Sequence, residues 1–149
     1  MLTFEDFETG RVFELGPYTI STEEIIEFAT QFDPQPFHID QNSPEAKAMG
    51  GIIASGWQTC GIVMRLMCDS YLLDTASQGS AGLDEIKWLF PVRPGDTLSG
   101  TSTVIKQRLS RSQKGLGIVT FDYELKNQDA KPVVLIRGTG FVKTKEAAA

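Results

Sequence analysis

The chain has 149 residues, of which 41% are hydrophobic and 22% charged, and its formal net charge is −5. This length suits one domain that buries about 70% of the surface its unfolded form exposes, and the composition excludes a disordered or collagen-like protein. The charge is uneven, −9 over residues 1–75 and +4 over residues 76–149, so the second half suits a small anionic ligand, whereas a nucleic-acid partner is not expected of an acidic chain.

The first part of the chain has the pattern of helices. Ser21 and Glu24 have the spacing of a capping box, and an apolar face follows that consists of Ile25, Ile26, Ala29 and Phe32. Pro34 ends this helix, because the residue before a proline avoids helical backbone angles. A second short helix is predicted to begin at Pro44, with Ser43 as its cap.

The third predicted helix, from Ser55 to about Leu73, has the most informative pattern. Apolar side chains cover most of its circumference, and only Gln58, Arg65 and Asp69 form a narrow polar stripe. A helix of this kind belongs inside a core rather than on a surface. We therefore expect other elements of the chain to enclose it.

The second half of the chain predicts the enclosing sheet. Apolar and polar residues alternate over residues 85–90 and 116–125, which is the pattern of half-buried strands. Two further strands are predicted over residues 97–108, which are rich in Thr, Ser and Val, and over residues 132–142. Short turns join the strands and favour antiparallel pairing. The predicted fold is α+β, with a long antiparallel sheet curled around one buried helix.

No repeat, low-complexity tract or linker divides the chain. We expect a single domain over residues 1–143, followed by a disordered C-terminal tail over residues 144–149. The first residues do not resemble a signal peptide, and polar side chains interrupt the longest apolar run, residues 52–68. These features predict a cytoplasmic protein that does not bind the membrane.

Residues that could form disulfides or bind metals are few. Cys60 and Cys68 would lie roughly 12 Å apart along the predicted helix, which is too far for a disulfide bond. Together with His38, the only histidine, they do not have the spacing of a zinc site. We therefore expect two free thiols and no bound metal.

The segment after the first helix contains the residues best suited to catalysis. It reads Asp33-Pro34-Gln35-Pro36-Phe37-His38, and its two prolines fix the backbone between a carboxylate and the only imidazole. A loop of this kind can turn Asp33 and His38 toward one water molecule, and such a pair can move protons near neutral pH. The alternative is a structural histidine beside a turn-forming aspartate. Asp40 is expected to form a turn or a helix cap.

A second candidate segment, residues 50–56, reads Gly-Gly-Ile-Ile-Ala-Ser-Gly and leads directly into the central helix. The first N–H groups of a helix lack partners and carry positive potential, so they can stabilise an oxyanion such as the enolate oxygen of a thioester. The alternative is a plain helix cap formed by Ser55. Because no nucleophile elbow surrounds Ser55, covalent catalysis by this residue is not expected.

The two candidate segments and a later turn form one pattern, which consists of Asp33, Pro36, His38, Asp40 and the segments 50–56 and 90–98. This pattern resembles the MaoC-like dehydratases and (R)-specific enoyl-CoA hydratases, and the likeness extends from about residue 3 to residue 143. The resemblance implies the hotdog fold, a curved antiparallel sheet wrapped around a long central helix. Many hydratases carry asparagine where this chain has Gln35, and we expect this difference to affect the substrate range rather than the fold.

The resemblance also implies an activity and the roles of the site residues. The reaction would be the addition of water to a trans-2-enoyl-CoA, or its removal from an (R)-3-hydroxyacyl-CoA, without a cofactor. Asp33 and His38 would be the catalytic pair that activates water and shuttles the proton at C2. The backbone N–H of Gly56 would bind the thioester oxygen, and Ser55 would position the pair. Coenzyme A is part of the substrate, and the basic second half could hold its phosphates.

Two other functions stay open at this point, a hotdog acyl-CoA thioesterase and a non-catalytic acyl-CoA-binding subunit. A thioesterase usually has a carboxylate on the central helix, but Asp69 is expected to pair with Arg65 there. The presence of both Asp33 and His38 argues against a binding subunit. The open edge of the predicted sheet further predicts a homodimer or a larger homo-oligomer.

Overall fold

The computed structural model describes residues 1–149, which form one five-stranded antiparallel sheet and five helices. The strand order is β1-β3-β4-β5-β2, so β1 and β2 are the edge strands. The elements in chain order are β1 (Val12–Thr19), α1 (Thr22–Phe32), α2 (Pro36–Ile39), α3 (Pro44–Ala48), α4 (Gly56–Ser70), β2 (Gly82–Trp88), β3 (Thr97–Leu109), β4 (Leu116–Lys126), β5 (Pro132–Lys143) and α5 (Lys145–Ala148).

Helix α1 begins and ends at the predicted residues. The hydroxyl of Ser21 accepts a hydrogen bond from the amide of Glu24 at 3.1 Å, and the carboxylate of Glu24 accepts one from the amide of Ser21 at 2.7 Å. At the other end, the amide of Asp33 donates to the carbonyl of Ala29 at 2.8 Å, and Pro34 follows. The capping box and the proline therefore fix the position of Asp33 directly after the helix.

One residue of the apolar face predicted for α1 lies outside the core. Ile25 and Ala29 are fully buried, whereas the side chain of Phe32 is 70% exposed. Phe32 is the last residue of the helix, and it packs on Phe28 with a distance of 5.2 Å between the ring centroids. Phe32 lies on the face of α1 that the periodicity predicts, but the end of the helix extends beyond the core, so its side chain is exposed.

Helix α4 is the central helix that the sequence predicts. The buried apolar residues of α4 are Ile62, Val63, Leu66 and Met67. They pack into one cluster with buried side chains from β1, β3, β4 and β5. Ser55 caps the helix by accepting a hydrogen bond from the amide of Trp57 at 3.3 Å. The burial of this face is the main link between the helical first half of the chain and the sheet.

The predicted faces of α4 need two corrections. Trp57 and Met64, which belong to the apolar circumference, are 60% and 50% exposed. Gln58, which belongs to the predicted polar stripe, is instead buried, and its amide group donates to the carbonyl of Glu24 at 3.1 Å. Helix α1 packs on the side of Gln58, whereas the side of Trp57 and Met64 is only partly covered, by the contact of Trp57 with Trp88 of β2 at 5.5 Å between the ring centroids.

All four predicted strands are present, and the sequence analysis missed β1. In this strand Phe13 and Leu15 are buried and Glu14 is exposed, which is the alternation of a half-buried strand. Gly16 and Pro17 then interrupt the pattern, and the pairing of β1 with β3 shifts register at this point. The alternation is therefore too short to identify the strand from the sequence.

The C-terminal residues 144–149, predicted to be a disordered tail, differ from the prediction. They contain the one-turn helix α5, and the hydroxyl of its cap Thr144 accepts a hydrogen bond from the amide of Ala147 at 3.3 Å. The amide of Lys145 donates to the carboxylate of Glu5 at 2.9 Å. A residue from the other end of the chain thus anchors this segment, and local sequence does not reveal such a partner.

Cys60 and Cys68 are free thiols, as predicted from their spacing on one helix. None of the helices combines the length and the apolar character that crossing a membrane requires.

The buried face of α4 leads to a first prediction, for Leu66→Ala. We expect its free energy of unfolding to fall by about 2–5 kcal/mol, because a buried leucine side chain is replaced by a cavity. The neighbouring Arg65→Ala is the matched control, since Arg65 is exposed and paired only with Asp69; its effect should stay within about 1 kcal/mol. Urea unfolding measures both, and equal losses would contradict the assignment of the buried face.

Candidate active site

The structure brings Asp33 and His38 together. The distance between Nε2 of His38 and Oδ2 of Asp33 is 3.2 Å. Asp33 follows α1, and His38 lies on the one-turn helix α2, which the sequence analysis treated as part of a loop. Pro36 is the first residue of α2, and the amide of His38 donates to the carbonyl of Gln35 at 3.0 Å. The prolines therefore stabilise a tight helical turn that brings the imidazole back to the carboxylate.

The ring of His38 is buried and held in one orientation. It is 4% exposed, and its Nδ1 lies 2.6 Å from the carbonyl oxygen of Ile53. Because a carbonyl oxygen can only accept a hydrogen bond, Nδ1 carries a proton. Phe37 packs edge-on against the ring with centroids 4.4 Å apart. The other nitrogen, Nε2, therefore faces Asp33 and is free to exchange protons there.

The carboxylate of Asp33 has hydrogen-bond donors at both oxygens. Oδ2 accepts from the hydroxyl of Ser55 at 2.7 Å, and Oδ1 accepts from the side-chain amide of Gln35 at 2.7 Å. Burial alone raises the pKa of Asp33, but the hydrogen bonds from Gln35 and Ser55 and the neighbouring His38 outweigh it and lower the pKa below its ordinary value. Asp33 is therefore ionised at neutral pH.

Ser55 has both of the roles that the sequence left open. Its hydroxyl accepts from the amide of Trp57 and donates to Asp33, so the residue caps α4 and orients the carboxylate at the same time. The side chain is fully buried behind Asp33. This position holds Ser55 away from any bound substrate, in agreement with the expectation that it is not a covalent nucleophile.

Gly56 is the first residue of α4, so its N–H is among those that have no partner inside the helix. The indole of Trp88 lies directly against it: a Cβ atom at position 56 would be 2.5 Å from the Trp88 ring, and Nε1 of Trp88 donates to the carbonyl of Gly56 at 3.0 Å. Glycine is therefore required here for close packing at the start of the central helix.

A cavity of about 410 Å³ joins the catalytic pair to the start of α4. Asp33, Gln35, His38 and Gly56 all line it. The rest of its wall consists of Ile53, Ala54, Trp57, Thr59, Trp88, Leu89, Phe90, Pro91, Val92 and Val133. Just over half of the lining residues are apolar, and the cavity is open to the surface, as expected of a binding cleft with a few polar groups.

The sequence analysis did not find the residues that form this apolar wall. Trp88, Phe90 and Val133 come from the second half of the chain, and the sequence gives no sign that they reach the loop of Asp33 and His38. Their alternation indicated a strand, but not which cavity the strand borders.

Asp40 lies outside the cavity. Its carboxylate accepts a hydrogen bond from the amide of Asn42 at 2.9 Å, and the side chain is exposed. This is the turn role expected from the sequence. No group of three or more His, Cys, Asp or Glu side chains is placed to hold a metal ion.

Together these groups can carry out proton transfer beside a stabilised oxyanion. An ionised carboxylate and a fixed imidazole nitrogen face each other across 3.2 Å, so both can contact the same small molecule. The N-terminus of α4 supplies N–H groups and positive potential in the same cavity. This combination suits reactions in which a proton moves at carbon while negative charge develops on a nearby oxygen.

Comparisons with known proteins agree with the fold and the sequence pattern. The family model described as "MaoC like domain" matches residues 6–125. The uncharacterized protein YdeM from Bacillus subtilis is 29% identical over 127 residues, which cover 85% of this chain and 89% of YdeM. A MaoC-like dehydratase from Rhodospirillum rubrum is 35% identical, with a TM-score of 0.88 over 97% of this chain and 99% of that structure.

A more distant structure shows the fold alone. The (R)-hydratase PhaJ1 from Pseudomonas aeruginosa is 19% identical, with a TM-score of 0.77 over 96% of this chain and 86% of that one. The predicted hotdog fold, an antiparallel sheet with a central helix, is confirmed.

The hydrogen bonds of Asp33 lead to a second prediction, for Ser55→Ala. We expect the pKa of Asp33 to rise, because a donor to the charged carboxylate is lost. The pKa of Asp33 in the folded protein is lower than its ordinary value of 3.8. Ionised Asp33 therefore stabilises the folded state at pH values above 3.8, and this stabilisation is lost as the pH falls through the pKa of the folded protein. In Ser55→Ala this acid-dependent loss should be smaller.

Carbon-13 NMR titration of the aspartate carboxyl groups measures the pKa directly. Thr30→Ala is the control, because the hydroxyl of Thr30 binds only the carbonyl of Ile26 on the exposed side of α1. An unchanged pKa of Asp33 in Ser55→Ala would show that the hydroxyl does not stabilise the carboxylate.

Proposed function

The chain belongs to the MaoC-like domain family, and from this premise we propose that it is a hydro-lyase acting on acyl-CoA thioesters. It adds water to a trans-2-enoyl-CoA to give an (R)-3-hydroxyacyl-CoA, or catalyses the reverse reaction. The observation that carries the proposal is the convergence of Asp33 and His38 within 3.2 Å, in a cavity that the start of α4 also lines. The name of the R. rubrum structure, a MaoC-like dehydratase, supports this reaction class.

The catalytic pair handles the two protons of the reaction. In the hydration direction, a water molecule binds in the cavity beside the pair, within hydrogen-bond distance of both the Asp33 carboxylate and Nε2 of His38, and gives up one proton to the pair. Its oxygen forms the new bond to C3 of the enoyl group, and the electrons of the double bond move toward the thioester oxygen. The pair then delivers one proton to C2, so that the elements of water add to the same face of the double bond. No other reactant is needed.

The start of α4 stabilises the intermediate charge. The proton at C2 of a thioester is only weakly acidic, so the enolate oxygen must be stabilised while negative charge builds on it. We assign this role to the backbone N–H of Gly56, supported by the positive potential of the helix N-terminus. Ser55 acts through Asp33 as a positioning residue, because its hydroxyl contacts the carboxylate rather than the cavity.

A second cavity supports an apolar acyl chain as the rest of the substrate. It has a volume of about 450 Å³ and lies along α4, where Cys60, Val63 and Met67 line it. Cys60 is one turn beyond Gly56, which corresponds to roughly 6 Å along the helix axis. The two cavities share no lining residue, and we propose that an acyl chain whose thioester is bound at Gly56 extends along α4 toward the second one.

The alternative of a thioesterase has weaker support in the structure. The only carboxylate on α4 belongs to Asp69, which is exposed and bound to Arg65 at 3.1 Å. It does not line the cavity of Asp33 and His38. A non-catalytic binding subunit would not need the buried, oriented imidazole of His38. Both alternatives are outcomes of the experiment below.

We also propose that the chain forms a homodimer through the edge strand β2 and the partly covered side of α4. Strand β2 pairs only with β5, so its other edge is free for a second strand. Exposed apolar side chains lie along this edge and the adjacent helix: Leu83, Trp88, Trp57 and Met64.

We further propose that the protein is cytoplasmic, because its two free thiols suit a reducing compartment.

The third prediction concerns the catalytic pair. Asp33→Asn and His38→Ala should each lower kcat for the hydration of crotonyl-CoA by about 10²–10⁴-fold, because each removes a group that transfers protons. Asp40→Asn is the matched control, since this carboxylate lies in the next turn but outside the cavity, and it should keep wild-type activity.

The assay follows the loss of enoyl absorbance and the release of free thiol with crotonyl-CoA and longer trans-2-enoyl-CoAs. Hydration removes the absorbance without releasing thiol, a thioesterase releases thiol, and a binding subunit does neither. Full activity in both variants would show that the catalytic residues lie elsewhere.

The fourth prediction concerns the homodimer. Light scattering should give the wild-type protein twice the 16.4 kDa mass of the chain. Leu83→Lys should shift it to the single-chain mass, because the substitution places a charge at the edge of β2. Leu109→Lys is the control, since Leu109 is equally exposed but lies at the end of β3. A wild-type protein of single-chain mass would contradict the dimer.

A further inference from the structure

We propose that Lys131, which lies over the ring of Phe90 beside the cavity of Asp33 and His38, binds a phosphate group of coenzyme A. The inference rests on the proposed function and adds to it the position at which the carrier part of the substrate is held. Three observations support it: the location of Lys131 beside the cavity wall, the rigid attachment of its backbone, and the lack of a partner for its ammonium group.

Lys131 lies directly over a residue of the cavity wall. Its Nζ is 4.6 Å from the centroid of the Phe90 ring, in a cation–π contact. Phe90 lines the cavity that contains Asp33 and His38, and both Phe90 and Lys131 are exposed to solvent. The ammonium group therefore stands at the point where the cavity opens to the surface.

The turn that carries Lys131 is held firmly. The buried side chain of Asn127 accepts hydrogen bonds from the amides of Asp129 at 2.9 Å and Lys131 at 3.1 Å. The side-chain amide of Gln128 donates to Asp96 at 2.9 Å, and Asp96 in turn accepts from the amide of Arg93 at 2.9 Å. These bonds join the turn between β4 and β5 to the segment after β2 that forms the cavity wall.

The ammonium group of Lys131 has no carboxylate within 4.0 Å and no hydrogen-bond partner, whereas the cations around it are engaged. Lys87 lies 3.1 Å from Glu85, and Lys126 lies 3.3 Å from Glu124. The guanidinium of Arg93 has no carboxylate partner either, but it is turned inward: it donates to the carbonyl of Met49, and its Nη1 is buried without a partner. Lys131 is thus the exposed cation beside the cavity wall whose ammonium group is unpaired.

The chemistry of the substrate requires such a cation. With the thioester oxygen at Gly56 and the acyl chain along α4, the pantetheine arm must leave the cavity through its open side. Phe90 is one of the exposed residues of the cavity wall, and we propose that the arm leaves along it, so that the anionic phosphates of coenzyme A come close to Lys131. A contact with an aromatic ring leaves the charge of lysine unneutralised, so the ammonium group can still form charge-assisted hydrogen bonds with phosphate oxygens.

The experiment compares two substrates that differ in the phosphates, crotonyl-CoA and crotonyl-pantetheine, with the full-length wild-type protein and three variants. Lys131→Gln should raise KM for crotonyl-CoA roughly three- to tenfold with kcat unchanged, because one phosphate contact is lost. Its KM for crotonyl-pantetheine should stay within about twofold of wild type, because that substrate has no phosphate for the residue to bind. Lys131→Arg should restore the wild-type KM for crotonyl-CoA.

Lys126→Gln is the matched control, because this lysine is the last residue of β4, directly before the turn, but is paired with Glu124; it should leave both KM values unchanged. An equal effect of Lys131→Gln on both substrates, or no effect on either, would overturn the phosphate site while leaving the hydratase activity established. A wild-type protein that hydrates neither substrate would instead refute the proposed function. Binding of free coenzyme A by calorimetry then tests Lys131 separately: equal affinity of wild type and Lys131→Gln would overturn the site.

Discussion

The hydroxyl of Ser55 forms the pair of hydrogen bonds on which the geometry of the site depends. It accepts from the amide of Trp57 and donates to the carboxylate of Asp33, so it joins the start of α4 to the end of α1. The relative position of these two helix ends matters, because the end of α1 carries the carboxylate and the start of α4 carries the N–H groups that we propose bind the thioester oxygen. Since the side chain is fully buried, water does not compete for either bond.

The remaining polar groups of the site are oriented in the same way, by bonds to neighbouring backbone. The carbonyl of Ile53 holds Nδ1 of His38, and Ile53 lies two residues before Ser55 on the segment that leads into α4. One short segment therefore orients both members of the catalytic pair and supplies the oxyanion-binding N–H groups. This explains why small residues and backbone contacts dominate residues 50–56: a large side chain at Gly56 would displace Trp88.

The sequence was sufficient where the determining contacts are local. The capping box of Ser21 and Glu24 and the stop at Pro34 both depend on residues a few positions apart, and both are present. The pairing of Asp33 with His38 could be predicted for the same reason, since two prolines constrain the four residues between them.

The sequence was insufficient where distant parts of the chain meet. Strand β1 was missed because Gly16 and Pro17 cut its alternation short, and helix α5 because its anchor, Glu5, lies at the other end of the chain. The contacts of Trp88 with Gly56 and of Lys131 with Phe90 have no local signal either. The exposure of Trp57 and Met64 has a related cause: periodicity shows that a face is apolar, but not whether this chain or a second copy covers it.

The two halves of the chain therefore contribute different parts of the site. Asp33, His38 and the start of α4, which handle protons and charge, all come from the acidic first half, whereas Trp88, Phe90 and Lys131 come from the basic second half. The pKa of the Asp33 carboxylate is set at close range, by burial on one side and by Gln35, Ser55 and His38 on the other. In the proposed reaction the first half supplies the proton chemistry, and Lys131 attracts the anionic carrier from the exposed part of the cavity wall without contacting the reacting atoms.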